Sequence, residues 1–384
     1  MGPLAGIRVV ELAGQGPGPH AAMLLGDWGA DVVRVVRKGP DGSPADIAGD
    51  AQLRNRTLVA ANLKDPQDRA AVAEMICGAD VLIEGFRPGV TERLGLGPQE
   101  CMTGNPRLVY ARMTGWGQNG PMALTAGHDI NYVSVTGVLD MIGEPERPTV
   151  PLNLLGDFGG GSMFLLSAIL AALLEREVSG QGQVLDVAIV DGVNTLAQTI
   201  WSFRAMGIWN ERRAANILDG GAPYYGVYRC ADGRYVAVGA IEQPFYEQVV
   251  SSLGLDSQTL PDRDDPTRWS ELRTILASAF ASRTREQWSE VFGGTDACVT
   301  PVLSMTEALD HPHLLARNAF DTVDGVAQAM PAPIFGRTPS SYPRAAGTRV
   351  ESLSAGLARW GRTPPQDRQA DDGKNEANTS GEIR

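Results

Sequence analysis

Residues 7–36 read IRVVELAGQGPGPHAAMLLGDWGADVVRVV. Ile7–Leu12 is a short run rich in β-branched side chains, the composition of a buried strand. Ala13–Pro19 is a turn punctuated by Gly and Pro, Ala21–Ala30 carries helical spacing, and Asp31–Val36 is a second β-branched run. Strand, helix, strand is a βαβ unit and predicts a parallel sheet. Further strands are expected at Thr57–Ala61, Val81–Glu84, Leu108–Met113 and Gln183–Ile189, with a helix over about 68–77. The first half is therefore α/β.

Met163–Glu177 reads as a strong helix. Its apolar run, Met163–Leu174, is shorter than the roughly 20 residues a bilayer span needs and is expected to be buried. Val193–Met206 is a second helical stretch, and Gly207–Gly221 reads as a linker. Tyr224–Arg229, the turn at 231–233 and Arg234–Ala240 predict a β-hairpin. Helical stretches follow at Phe245–Leu253, Trp269–Ala281 and Arg285–Phe292, which makes a smaller α+β domain. From about Thr363 onward the chain is polar and reads as a solvated, disordered tail.

The chain has 384 residues and a net charge of −12. At about 150 residues per domain, two or three domains are expected. An acidic chain is a poor nucleic-acid binder, because phosphate backbones demand clustered positive charge. Its four cysteines are widely spaced, which fits free thiols in a reducing compartment. The N-terminus has no signal-peptide pattern, so the expectation is a cytoplasmic protein that makes no use of a membrane.

The loop Gly14–Pro19 lacks the G-x-G-x-x-G spacing of a dinucleotide site and reads as a close backbone turn beside some ligand. Arg34, Arg37 and Lys38 form a local positive cluster to which Arg54, Arg56 and Lys64 add; such cations either grip phosphates or line a solvated edge. No metal constellation, G-x-S-x-G elbow or P-loop is present. His20 reads as a capping or packing residue. His128 stands alone among small residues. Asp157 precedes a glycine run that leads into a helix, where an aspartate either caps the helix or lies beside its outward N–H groups. Glu242 follows the second hairpin strand.

Together these segments resemble the class III CoA-transferase family. The motifs that carry the resemblance are residues 4–35, RPGVTERLGLGP (87–98), YARMTGWGQNGP (110–121), AGHDINY (126–132), NLLGDFGGGSM (153–163), LDGGAPYY (218–225) and CVTPV (298–302). They cover nearly the whole chain short of the tail. The resemblance implies a Rossmann-like large domain with a smaller α+β domain, in an interlocked homodimer. The expected boundaries are 1–206 for the large CoA-binding domain, 207–222 for a linker, 223–320 for the small domain, 321–362 for a return to the large domain and 363–384 for the tail.

Within this family the resemblance is to the branch that racemises 2-methylacyl-CoA thioesters. It implies catalytic roles for His128, Asp157 and Glu242, with no cofactor beyond the CoA of the substrate. It implies acyl-CoA contacts from Arg37, Ala61, Asn62, Leu63, Lys64, Gly85, Arg87, Arg93, Gly127, Asp129, Ile130, Asn131, Tyr132 and Asn153. Racemisation needs two acid/base groups on opposite faces of carbon 2. His128, oriented by Glu242, and Asp157, hydrogen-bonded by Asn153, fit those parts. Backbone N–H groups around Asp157–Gly159 are expected to receive the thioester oxygen, and Met113, Met122 and Met163 are either plain core or an adaptable apolar surface for the acyl chain. The alternatives are a CoA-transferase with Asp157 as nucleophile and a silent acyl-CoA-binding protein.

Overall fold

The structure, a computed structural model, describes residues 2–39, 50–345 and 349–361. Its main sheet is built from β1 (Arg8–Leu12), β2 (Asp31–Arg37), β3 (Arg56–Ala61), β4 (Val81–Glu84), β5 (Val109–Thr114), β6 (Val184–Ala188) and the edge strand Val350–Glu351. The order is edge strand, β3, β2, β1, β4, β5, β6. Every pairing is parallel, with Val10 opposite both Val33 and Leu82. The predicted βαβ unit is present, its helix α1 running Pro17–Asp27.

Because side chains alternate along a strand, each strand feeds two faces. Val10, Leu12, Val33, Val35, Val59 and Leu82 pack with Val72, Met75 and Ile76 of α2 (Pro66–Cys77), and with Leu357 and Trp360 from the chain's last described turn. Each such side chain, fully buried, contributes about 1.5–3 kcal/mol. The long helix α4 (Met163–Ser179) buries Leu165, Leu166, Ile169 and Leu173.

Contacts divide the described residues into two units: those within 2–136, 152–196 and 318–361 in the first, 137–151 and 197–317 in the second. The sequence reading placed all of 1–206 in the large domain, whereas 137–151 and 197–206 belong to the second unit. One cause is Arg213, which donates to Asp140 Oδ1 at 2.7 Å and to the carbonyls of Glu144 and Pro145 at 2.9 and 3.1 Å. The helix expected over Val193–Met206 is two helices, Ile189–Leu196 and Gln198–Ala205. They are separated by Ala197 at φ −80°, ψ 5°, where the division falls. The tail at 363–384 lies outside the described residues.

The second unit holds the predicted hairpin, Tyr225–Arg229 with Tyr235–Gly239, extended by Val299–Pro301. Helices Gln243–Ser252, Trp269–Phe280 and Arg285–Phe292 close its core around Tyr228, Val236, Leu272, Leu276 and Phe280.

Helix α4 is longer than its apolar run suggested. Residues 152–179 form one helical stretch of 28 residues, long and apolar enough to cross a membrane by length and composition. In this fold the stretch packs on the sheet, and somewhat under half of its most apolar window is buried.

Candidate active site

The strand order reverses at β1: β2 and β3 follow on one side, β4 and β5 on the other. Loops leaving the carboxyl ends of β1 and β4 diverge there and leave a crevice, the usual ligand position in an open parallel sheet. The crevice is a cleft of about 610 Å³. Glu11 and Leu12 enter it from β1, Gly14–Gly16 from the following loop, Pro17–Pro19 from the start of α1, Ile83 from β4 and Gly85 from just beyond it. Gly127, His128, Asp129, Tyr132, Asn153 and Asp157 also line it, so seven of the expected site residues share one wall system.

Asp157 lies in a π-helical turn, Leu155–Ser162, that runs directly into α4. Such turns widen the helix and re-aim side chains, and they recur at functional sites. Burial pushes the Asp157 carboxyl above its ordinary value; the Asn153 hydrogen bond and His128 oppose the shift, and the Asp129 charge adds to it. Asn153 Nδ2 donates to Asp157 Oδ2 at 3.3 Å. The loop after β1 backs the carboxyl: Gly16 has φ +68°, and a Cβ there would sit 3.3 Å from Asp157 Oδ2. A side chain at position 16 would meet both strain and crowding.

His128 is exposed and precedes helix α3 (Asp129–Val135). Its backbone N–H donates to Asn131 Oδ1 at 3.0 Å. Asn131 therefore fixes the His128 backbone instead of lining the cleft, and Ile130 also lies outside the cleft lining. Tyr132 donates its hydroxyl to the Gly127 carbonyl and meets Trp116 edge-on at 4.7 Å. Burial raises the Tyr132 hydroxyl, as does Asp157, and the Arg87 charge lowers it. Of the three methionines considered, only Met113 is among the cleft residues.

One expectation changes. The Asp157 N–H, expected near the thioester oxygen, donates to Asp129 Oδ2 at 2.6 Å. The Asp129 carboxylate is thereby turned toward the Asp157 backbone, in a residue that is buried at the cleft wall. His20 packs as expected: its ring lies 4.6 Å from Phe158, its Nδ1 is 2.7 Å from Ser162 Oγ, and burial lowers its pKa.

A second cleft, of about 510 Å³, adjoins the first across the β1 loop. Ala13 and Phe86 line it where Gly14 and Gly85 line the other. Arg37, Ala61, Asn62, Leu63, Lys64 and Arg93 are all on its walls. Arg37, Lys64 and Arg93 are exposed and make no ion pair with an acidic partner among the described residues. Arg87, on the loop after β4, is exposed as well. Lys38 is paired with Asp68 at 2.6 Å.

Three other cations of the predicted cluster are consumed inside the fold. Glu11, 1% exposed, pairs with Arg34 and with Arg56 Nη1, the latter at 2.9 Å. Their second terminal nitrogens reach backbone around the start of α1: Arg34 Nη2 bonds the Gly14 carbonyl at 3.0 Å, and Arg56 Nη2 bonds the carbonyls of Pro19 and, at 3.0 Å, Gln52. Arg54 is held by Asp27 at 2.6 Å. A buried guanidinium must be paired to offset desolvation, and the partners come from other strands and from α1, so the linear sequence did not display them.

Glu242 is exposed in the second unit, immediately before helix Gln243–Ser252.

The profile of CoA-transferase family III matches residues 4–350. The chain is 46% identical over 340 residues to alpha-methylacyl-CoA racemase from Mus musculus, covering 88% of this chain and 87% of that one. It is 44% identical over 339 residues to alpha-methylacyl-CoA racemase from Homo sapiens, covering 88% and 87%. The crystal structure of a CAIB/BAIF family protein from Brucella suis matches with a TM-score of 0.77 at 24% identity, covering 93% of this chain and 98% of that one, a likeness of fold. Matched along almost its whole described length, the chain belongs to CoA-transferase family III.

Proposed function

We propose that this protein is a racemase of 2-methylacyl-CoA thioesters. It removes the proton from carbon 2, passes through an enolate and returns a proton to the opposite face. The observation that carries the reading is the pairing of His128 with a half-buried Asp157 in one cleft. Two racemase relatives at 44–46% identity support it.

For one enantiomer His128 is the base and protonated Asp157 the acid; for the other the roles reverse. Burial favours the neutral carboxyl that one direction requires. Asn153 occupies Oδ2, leaving Oδ1 to carry the proton. Glu242 orients the His128 ring and stabilises the imidazolium, supplied from the neighbouring subunit of a homodimer. The CoA phosphates meet Arg37, Lys64 and Arg93, with Arg87 nearby, because exposed cations in an acidic chain are the groups free to bind them. The pantetheine arm then crosses the β1 loop and passes Gly85 and Tyr132 to reach His128 and Asp157. No cofactor is needed, and the enzyme works in the cytoplasm.

The test is incubation in D2O with a single-enantiomer 2-methylacyl-CoA and no acceptor acid, following mass and stereochemistry at carbon 2. Deuterium uptake with both epimers is expected. Absence of uptake, with CoA transfer once an acceptor acid is added, would make Asp157 a nucleophile and overturn the racemase. His128→Ala is expected to abolish exchange with one enantiomer; full exchange with both would refute the two-base scheme.

A further inference from the structure

We propose that Asp129 is a positioning residue for this reaction: its buried carboxylate ties the turn that carries Asp157 to the helix start that carries His128. The inference rests on the racemase reading above. Asp129 follows His128 directly and is the first residue of α3. Its side chain reaches across 28 positions to take the Asp157 N–H at 2.6 Å, and the Gly156 N–H donates to it as well. The space for this is made by Gly156. A Cβ there would lie 2.3 Å from Asp129 Oδ2 and 2.9 Å from Val133 Cγ2.

One carboxylate thus joins two anchors. On one side Asn131 Oδ1 holds the His128 backbone at 3.0 Å. On the other, Asp129 holds the backbone nitrogen of Asp157 itself. A racemase must meet one carbon from two faces, so the separation of its two acid/base groups is a catalytic parameter, and displacements of about 1 Å cost on the order of a hundredfold in rate. An acceptor fixing both anchors sets that separation without touching substrate.

The experiment compares wild type with D129N, D129A and D129E on single-enantiomer 2-methylacyl-CoA in D2O. It reads kcat and KM in both directions and the share of deuterated product that keeps its configuration. Melting temperature and acyl-CoA Kd are measured on each variant. D129A removes the acceptor and D129E overfills the space; both are expected to lose about tenfold or more in kcat, with KM within about threefold. Their exchange should shift toward retention, because His128 still removes and returns a proton on its own face while Asp157 no longer meets the other. D129N keeps an oxygen acceptor and is expected to stay within about threefold of wild type.

Three results would overturn the proposal: D129A racemising within about threefold of wild type, exchange and inversion falling in equal proportion, or D129N as impaired as D129A. If D129A does not fold, D129N and D129E decide on the same readouts. A wild-type protein that shows no exchange overturns the racemase reading and this proposal with it. That failure is distinct, since it appears before any variant is made.

Discussion

Arg34 and Arg37 stand on the same strand and serve opposite ends. Arg34 is 7% exposed, locked to Glu11, and spends a donor on the Gly14 carbonyl. Arg37 is exposed at the strand's end, on the wall of the cation-rich cleft. The same contrast separates Arg56 from Lys64 on and after β3. Interior cations hold the loop that backs Asp157; surface cations face whatever enters. A count of positive residues in the sequence merges these two populations, and burial alone separates them. Asp157 in the first cleft makes a third case, an acid half withdrawn from water.

The sharpest way to break this three-way division is at Asp157. Asp157→Asn should lower the rate of epimerisation by about 10²–10⁴-fold, the range for loss of a general acid/base. A loss below about tenfold, measured by stereochemical assay, would remove Asp157 from the proton transfer. Next in size is the interior pair. Arg56→Met leaves Glu11 short of a partner inside the fold and should cost about 3–5 kcal/mol in denaturant unfolding. Arg37→Met should stay within about 0.5 kcal/mol in the same experiment. Equal losses would mean that the two populations are not distinct.

The surface cations are tested by binding. Arg37→Ala should raise KM and Kd for acyl-CoA about tenfold while leaving kcat nearly unchanged, since a charge-assisted phosphate contact is made equally in ground and transition states. The smallest effect concerns the acid itself. The folded-state pKa of Asp157 is raised by burial. Between its ordinary and raised values the folded chain holds more proton than the unfolded one, so stability falls as pH rises through that window. Above it the ionised carboxyl costs stability that Asn does not. Asp157→Asn should therefore melt about 1–3 °C higher than wild type at pH 7, with the gain gone near pH 3, where both states are protonated.

The parallel sheet was legible because its strands are short β-branched runs separated by helical spacing. Val81–Glu84 was placed to the residue, and β1, β2 and β3 to within one. The turn that carries Asp157 was not. LGDFGGGS has the composition of a loop, and it is helical because α1, α3 and helix Ile189–Leu196 pack around it, a tertiary effect that overrides propensity. The candidate site residues are read from their motifs, and the fold brings His128, Asp129, Tyr132, Asn153 and Asp157 to one cleft. Which way the Asp129 carboxylate turns was invisible, because its partner is a backbone N–H 28 positions away. The same holds for Glu11, an apparent strand-end residue whose two arginines come from two other strands.

The edge strand Val350–Glu351 pairs with β3, and Arg359 grips Asp31 through two bonds of 2.7 Å. Leu357 and Trp360 complete the core begun by Val10 and Val33. A nascent chain must therefore carry an unfinished first unit while all of 197–317 is synthesised. Until residue 350 emerges, the open side of β3 is an unpaired strand edge, a template for association with other chains. Contacts spanning some 300 positions, such as Trp28 Nε1 to the Ala332 carbonyl, close last. Such non-local closure is slow, so truncation near residue 345 should yield aggregation during expression, where a trimmed but complete fold would yield a merely weakened enzyme.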